Sequence, residues 1–271
     1  MKEITGYTRL FGIVAHPIHH VKTPQRMNEH FARIGFDGVC VPFHVRPQQL
    51  PTAMTAFRTM ENLGGVIVTI PHKTAILEYV DEISPVAQKI GAANVVRRNA
   101  DGTLYADMLD GEGFVGGLRQ AQIPVAGQTA YLAGAGGAAN AVGFALVQAG
   151  VALLTIANRT ESKAQDLRER ILSLYPQAQI RIGHGDPSGH NLVINGTSLG
   201  MKEGDELPLD VSRLTPDQRV CEVIMEPRLT PLLRKAEQRG CAIHYGAPML
   251  ACQIELMAQV LGAASKEASR G

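Results

Sequence analysis

A chain of 271 residues, 45% of them hydrophobic, holds enough apolar material for two compact cores or one large one, which excludes a disordered or fibrous protein. A formal charge of +1, no tryptophan and 5% aromatic residues supply neither a basic field nor a stacking platform, so no nucleic-acid partner is expected. No apolar run reaches the roughly 18 residues of a membrane span, Met1 to Thr5 carries no apolar leader, and Cys40, Cys221, Cys241 and Cys252 lack metal or redox spacing; a cytoplasmic protein with no membrane partner, monomeric or homodimeric, is expected.

In chain order, Leu10 to Ala15 reads as a strand, Pro24 to Ile34 as a helix, Gly38 to His44 as a strand, Pro47 to Leu63 as a helix and Gly65 to Ile70 as a strand. This alternation indicates a largely parallel α/β sheet. Val66 to Ile70 is β-branched throughout, the composition of a core strand. Pro71 then fixes φ and removes a donor, so Lys73 projects beyond the strand's carboxyl end. Two readings of Lys73 stand: a proton-transfer group, or the solvated first residue of a helix through Ala75 to Val80. Ser84 to Ile90 reads as a short helix with a serine cap and proline start, and Asn94 to Arg98 with Leu104 to Asp107 as a hairpin-like pair. Asp110-Gly111-Glu112-Gly113-Phe114 opens a helix toward Leu118. Asp110 is its N-cap or a functional carboxylate, and the two roles are compatible.

From Tyr131 the alternation restarts. An apolar strand enters Gly134-Ala135-Gly136-Gly137-Ala138-Ala139 and then an amphipathic helix. Glycines at 134 and 136 permit a tight turn and close approach of a pyrophosphate, the small Ala139 permits close helix packing, and the helix N-terminus faces the anion. A second strand, Ala152 to Ala157, ends at Asn158-Arg159-Thr160, where such a fold meets the adenine ribose. Asn158 stands where an NAD site places an acid, and Arg159 suits a 2′-phosphate. NADP is therefore favoured over NAD, with Thr160 and Lys163 in support and Glu161 opposed. Further strands are expected at Gln179 to Ile182, Leu192 to Asn195, Val220 to Met225 and Ala242 to His244. A final helix, Pro248 to Leu261, follows Gly246 with Gln253 and Leu256 on its inner half. The fold class is α/β with two domains: a mostly parallel first domain over 1–112, a Rossmann-type dinucleotide-binding domain over 113–245, and a C-terminal helix over 246–271 returning to the first. His16, His19, His20, His44 and His72 crowd the first domain without carboxylate or cysteine partners at ligand spacing, so no metal is expected.

The ordered set of motifs resembles the shikimate dehydrogenase family over nearly the whole chain. It comprises Pro17-Ile18 before Thr23-Pro24, Val68 to Lys73, Gly91-Ala92-Ala93-Asn94, Asp110 to Phe114, the glycine turn, Asn158-Arg159-Thr160, Asn195 to Met201, Pro227 before Thr230-Pro231-Leu232-Leu233, and Gly246 through Met249-Leu250 to Gln253. The resemblance implies a first domain that holds a cyclohexene carboxylic acid and a second that holds a nicotinamide cofactor. It implies a catalytic pair at Lys73 and Asp110, and substrate contacts at Thr69, Asn94 and Gln253. It also implies cofactor contacts from Gly134, Ala135, Gly136, Gly137, Ala138, Asn158, Arg159, Thr160, Asn195, Thr197 and Gly246.

Departures from the family pattern cluster in the substrate pocket. Where the family uses two serines for the substrate carboxylate, this chain has Val21 and Thr23. Ile67 stands in place of an asparagine, Met108-Leu109 in place of an asparagine-threonine pair, and Met225 in place of a tyrosine. A pocket that has lost hydrogen-bonding groups discriminates among hydroxylated substrates, so shikimate itself is expected to be a poor substrate unless His19, His20 or Lys22 compensates. The implied activity is hydride transfer between a nicotinamide and a secondary alcohol or ketone on such a ring acid. Two other readings are a non-catalytic dinucleotide-binding metabolite sensor and a relative of methylene-tetrahydrofolate dehydrogenase or glutamyl-tRNA reductase. The order of the motifs favours the first reading, and retention of both Lys73 and Asp110 disfavours the sensor.

Overall fold

The structure, a computed structural model that describes residues 3–19 and 21–263, resolves the chain into two compact units. One runs to Leu109 and takes in the chain again from Ile254; the other is Asp110–Gln253.

The first unit carries β1 (Arg9–Ala15), α1 (Thr23–Arg33), β2 (Gly38–His44), α2 (Leu50–Thr59), β3 (Leu63–Val68), β4 (Glu82–Ile83), α3 (Pro85–Ile90), β5 (Val95–Arg98) and β6 (Leu104–Asp107). Its six-stranded sheet has the order β2-β1-β3-β5-β6-β4. Strands β2, β1 and β3 are parallel, β5 runs antiparallel to β3 and β6, and β4 is parallel to β6. The ring of Phe11 on β1 packs on Phe31 of α1 at 5.1 Å and on Phe36 at 5.9 Å. Glycine on the neighbouring strand makes room for it, since a Cβ at Gly64 would sit 2.3 Å from the Phe11 ring.

Two expectations for this unit are corrected. The single helix over Pro47 to Leu63 is a 3-10 turn, Pro47–Gln49, followed by α2, and Leu63 already belongs to β3. Pro51 favours a fresh helix start, and Met60 leaves the helix in an extended conformation, φ −85° and ψ 98°. Strand β3 ends at Val68 rather than Ile70: Thr69 N still donates to Val14 O (3.1 Å), but Pro71 has no N–H to continue the ladder. Beyond it lies only a 3-10 turn, Ala75–Tyr79, so Lys73 does not open a helix.

The second unit carries α4 (Asp110–Gln120), β7 (Thr129–Ala133), α5 (Gly137–Gln148), β8 (Leu153–Ala157), α6 (Glu161–Leu174), β9 (Ile180–Gly183), β10 (Leu192–Asn195), β11 (Arg219–Glu222), α7 (Pro231–Gln238), β12 (Ala242–His244) and the first half of α8 (Ala247–Val260). All its strands are parallel, in the order β12-β11-β10-β7-β8-β9. This is the doubly wound dinucleotide-binding order, with its switch point between β7 and β10. Tyr131, Leu132, Val193 and Ile194 are fully buried because helices cover both faces of such a sheet. Strand β11, expected to reach Met225, ends at Glu222, whose own carboxylate takes the amides of Val223 and Ile224 at 2.9 and 3.1 Å.

The division between units falls before α4, three residues ahead of the break expected after residue 112, and again inside α8. Helix α4 joins the second unit from its first residue because its glycines let neighbouring helices approach. A Cβ at Gly111 would lie 2.0 Å from Ala141 O of α5, and one at Gly113 would lie 2.3 Å from the Gln253 side chain of α8. Farther along α8, Glu255 pairs with Arg33 at 3.0 Å and Leu261 fills the space beside Gly65, which places that end in the first unit.

Candidate active site

In the first unit the predicted residues gather at the carboxyl ends of parallel strands. Val21 and Thr23 lie between β1 and the first turn of α1, both half-buried. Thr69 follows β3 directly. Pairing of β3 and the turn after it with the segment before β5 adds two further predicted residues, Lys73 and Asn94: Val68 N donates to Asn94 O at 2.8 Å and Ala93 N donates to Lys73 O at 2.8 Å. The backbone of Lys73 is thereby fixed, with its side chain half-buried. Asn94 is 1% exposed and accepts the Leu109 amide on Oδ1 at 2.8 Å, which fixes the chain just before Asp110.

In the second unit Asp110 is the first residue of α4, buried, and its Oδ1 accepts a hydrogen bond from Gln253 Nε2 at 2.9 Å. The two are 143 positions apart and meet because glycines on α4 admit α8. The resemblance implied a substrate contact for Gln253; its amide also orients the carboxylate of Asp110.

The residues expected to meet a dinucleotide sit at the carboxyl ends of β7, β8 and β10. Gly134 adopts φ +112°, which a side chain would resist, and a Cβ there would meet Gly196 and Thr197 across the switch point at 3.0 to 3.1 Å. A Cβ at Gly196 would in turn meet Ala139 Cβ at 2.8 Å, which is why the third position of the fingerprint must be small. Gly136 and Gly137 are exposed, a Cβ at either would meet nothing within 4 Å, and no side chain caps α5. These are the properties a pyrophosphate cradle requires: open backbone and uncapped amides at a helix N-terminus. Asn158 donates to Thr160 O at 2.8 Å and shapes the turn after β8, where Arg159, Thr160 and Lys163 are exposed. Gly246, before α8, lies so close to the segment after β11 that a Cβ would be 2.3 Å from Ile224 O. The residues present therefore fit an NADP-type dinucleotide.

Sequence reasoning missed two groups that organise this edge. Asn140 of α5 donates to Ala135 O (3.2 Å) and Gly136 O (2.9 Å) and accepts from Arg170 of α6 (2.7 Å), which clamps the glycine turn. Glu222, fully buried, accepts from the Val223 and Ile224 amides, from Asn195 Nδ2 at 3.1 Å and from Thr230 Oγ1 at 2.9 Å. Asn195 meanwhile accepts from the Thr197 amide and hydroxyl at 3.0 and 2.7 Å, so the loops after β10 and β11 are one network. Burial pushes the Glu222 carboxyl above the ordinary carboxylate range, against the pull of its donors. Each carried a sequence mark: a polar residue directly beside apolar or small neighbours, Asn140 among alanines and Glu222 after Val220-Cys221.

The histidines do converge in part. His16 Nδ1 and His44 Nε2 are 2.9 Å apart, and His19 meets His44 edge-on at 5.8 Å; His20 lies outside the described residues. His19 sits in a turn after β1 rather than on a strand. Among the described residues no group of three or more His, Cys, Asp or Glu is placed to hold a metal ion.

Comparison with known proteins places these features in a wider group. The family model described as shikimate dehydrogenase substrate binding domain matches residues 13–96, and that described as shikimate / quinate 5-dehydrogenase matches residues 118–180. Shikimate dehydrogenase (NADP(+)) of Rubrobacter xylanophilus is 38% identical over 258 residues, 93% of this chain and 89% of that one. Among solved structures, shikimate 5-dehydrogenase from Listeria monocytogenes in complex with shikimate and NAD superposes with a TM-score of 0.85 at 31% identity, over 96% of this chain and 99% of that one. The Thermus thermophilus enzyme in complex with NADP(H) and shikimate gives a TM-score of 0.85 at 29% identity, over 96% of each chain.

Proposed function

This chain belongs to the shikimate dehydrogenase family, and we propose that it is an NADP-dependent oxidoreductase of that type, acting on a secondary alcohol or ketone of a cyclohexene or cyclohexane carboxylic acid. The observation that carries the reading is the open glycine turn at the switch point of a doubly wound sheet, in a chain whose other unit matches a substrate-binding domain. The sensor alternative has no support in the relatives, which are named as enzymes. Among the described residues no helix is long and apolar enough to cross a membrane.

NADP, when bound, supplies the hydride acceptor or donor. The chain's residues supply binding and proton handling. As the carbinol carbon loses hydride, its hydroxyl loses a proton; Lys73 Nζ takes it, and returns it in the reductive direction. In the second unit Asp110, held by Gln253, is the other proton-handling group that the family pattern implies. Thr69, Asn94 and Gln253 meet ring hydroxyls, and Val21 and Thr23 line the carboxylate side with a single hydroxyl in place of the two in the family pattern. Gly134 to Ala138, Asn195, Thr197 and Gly246 would hold the cofactor backbone, and Asn158, Arg159 and Thr160 would meet its 2′-phosphate end. Cations around that end offset the charge that distinguishes NADP from NAD.

The test is turnover of shikimate and quinate with NADP and with NAD, by parent and Lys73→Ala proteins. NADP-linked turnover of a ring acid is expected, and Lys73→Ala should lower kcat by about 10²–10⁴-fold while KM for NADP stays within about twofold. Failure of every ring acid with either cofactor overturns the activity. Near-normal kcat in Lys73→Ala overturns the assignment of the base alone.

A further inference from the structure

A pyrophosphate cradle needs N–H groups turned to the open edge of the sheet, and this chain holds them there from behind. Asn140 lies in the first turn of α5, and its backbone amide donates to Gly136 O at 2.8 Å. Its side-chain amide, buried, adds two more bonds to the same turn, donating to Ala135 O at 3.2 Å and to Gly136 O at 2.9 Å. The peptide bonds after Ala135 and Gly136 are trans, and in a trans peptide the N–H points opposite to the C=O. Drawing both carbonyls toward Asn140 therefore turns the N–H groups of Gly136 and Gly137 away from it. Both glycines are exposed and no side chain caps α5, so these N–H groups meet the side left open.

The direction of the Asn140 amide is set in turn by Arg170 of α6. Arg170 Nη2 donates to Asn140 Oδ1 at 2.7 Å, and its Nε donates to Asp166 O, one turn back on α6, at 3.3 Å. A reversed Asn140 would set N–H groups against the guanidinium and a lone pair against two carbonyls. Helix α6 comes close enough because Gly143, three residues past Asn140, has no side chain: a Cβ there would lie 3.3 Å from Ile171 Cδ1 and 3.7 Å from Leu167 Cδ2. Burial pulls the pKa of Arg170 below its ordinary value, but a guanidinium keeps its proton at any working pH. The bonds all run in one sense, from guanidinium N–H to the Asn140 carbonyl, from Asn140 N–H to the carbonyls of the turn, and from the N–H groups of the turn to an anion. Each bond polarises the next in a partly dry interior. A positive charge that touches no ligand thus strengthens the donors that do.

We propose that Arg170, acting through Asn140, is a positioning residue of the pyrophosphate site: it orients the Gly136 and Gly137 amides and reinforces them with its charge, an assignment that rests on the dinucleotide site proposed above. Arg159 is assigned to the 2′-phosphate end, so the two arginines should separate in the ligands they affect.

The experiment is calorimetric titration of NADP, NAD and adenosine 2′-monophosphate, which carries the 2′-phosphate and lacks the pyrophosphate, with no ring acid present. The proteins are the parent, Arg170→Met, Arg170→Lys, Asn140→Leu and the double variant Arg170→Met with Asn140→Leu. Arg170→Met should raise Kd for NADP and NAD alike by about fivefold, the scale of one hydrogen bond, and leave Kd for adenosine 2′-monophosphate within about twofold. Arg170→Lys, which keeps the charge on a shorter donor, should lose less than Arg170→Met. In the Asn140→Leu background Arg170→Met should add less than about twofold, because the link from arginine to turn is already broken. Should Arg170→Met lose its cooperative thermal unfolding, Arg170→Gln, a polar replacement without charge, takes its place under the same criteria. Unchanged dinucleotide Kd, a loss for adenosine 2′-monophosphate equal to that for NADP, or full additivity in the double variant overturns the assignment, while ring-acid turnover by the parent leaves the family activity standing. Failure of the parent to bind either dinucleotide overturns the cofactor reading and the positioning role together.

Discussion

Replacing Glu222 by glutamine tests whether the buried carboxylate holds the loops of the cofactor edge. The side chain is 0% exposed, with two donors on each oxygen: the Val223 and Ile224 amides on Oε1, Asn195 Nδ2 and Thr230 Oγ1 on Oε2. Glutamine can keep its carbonyl toward the two amides. Its NH₂ then faces Asn195 Nδ2 and Thr230. The Thr230 hydroxyl can rotate to accept, but Asn195 cannot turn its amide without breaking the bonds from Thr197 to its Oδ1. One buried donor pair is set in opposition and two charge-assisted bonds become neutral, a loss of about 2 kcal/mol when partners are stranded in a dry interior. At roughly 2–4 °C per kcal/mol for a chain of this size, the melting temperature should fall by about 4–8 °C. Glu222→Ala strands all four donors and should lose about 4 kcal/mol or more. The pH dependence follows from the raised pKa of Glu222, whose main cause is burial. A raised folded-state value means stability fully present below the unfolded value, about 4.3, and lost as pH rises through the folded value. Glutamine does not titrate, so the gap between parent and Glu222→Gln should be widest near pH 4.5 and narrower at pH 8. Thermal denaturation by circular dichroism across that range reads it. A glutamine variant as stable as the parent at neutral pH, or a gap that widens with pH, refutes the reasoning.

Two further outcomes are expected. Arg159→Ala should raise KM for NADP about tenfold and leave KM for NAD nearly unchanged, since a 2′-phosphate accepts a charge-assisted bond that a ribose hydroxyl does not match; equal effects on both cofactors would assign the arginine to the adenine or to the loop. Gly111→Ala puts a Cβ 2.0 Å from the Ala141 carbonyl oxygen and 2.8 Å from Ala145 Cβ, and should destabilise the second unit by about 1–3 kcal/mol in urea titration; an unchanged midpoint would show that α4 and α5 can separate without cost.

The sequence by itself determined the elements whose causes are local. The run of β-branched residues fixed β3, glycines at 134 and 136 ahead of an apolar helix fixed the dinucleotide turn, and Ser84-Pro85 fixed the start of α3, where the Ser84 hydroxyl accepts the Ala87 amide as an N-cap should. Local cues misled where a backbone group finds a distant or side-chain partner. Apolar spacing carried the helix after Pro47 too far, although the Asn62 carbonyl is already taken by Leu10 of β1, and the β11 run looked longer than it is because nothing in a linear pattern says that Glu222 will capture the next two amides. Only the tertiary structure joined Gln253 to Asp110, linked Asn195, Glu222 and Thr230, and brought the ring nitrogens of His16 and His44 within 2.9 Å of each other. The physical reason is common to all three. Periodicity and turn chemistry record the preferences of neighbours within a few residues, whereas these contacts depend on strand order and on close helix approach at residues without a Cβ, such as Gly111 and Gly113, which bring together side chains that share no local pattern.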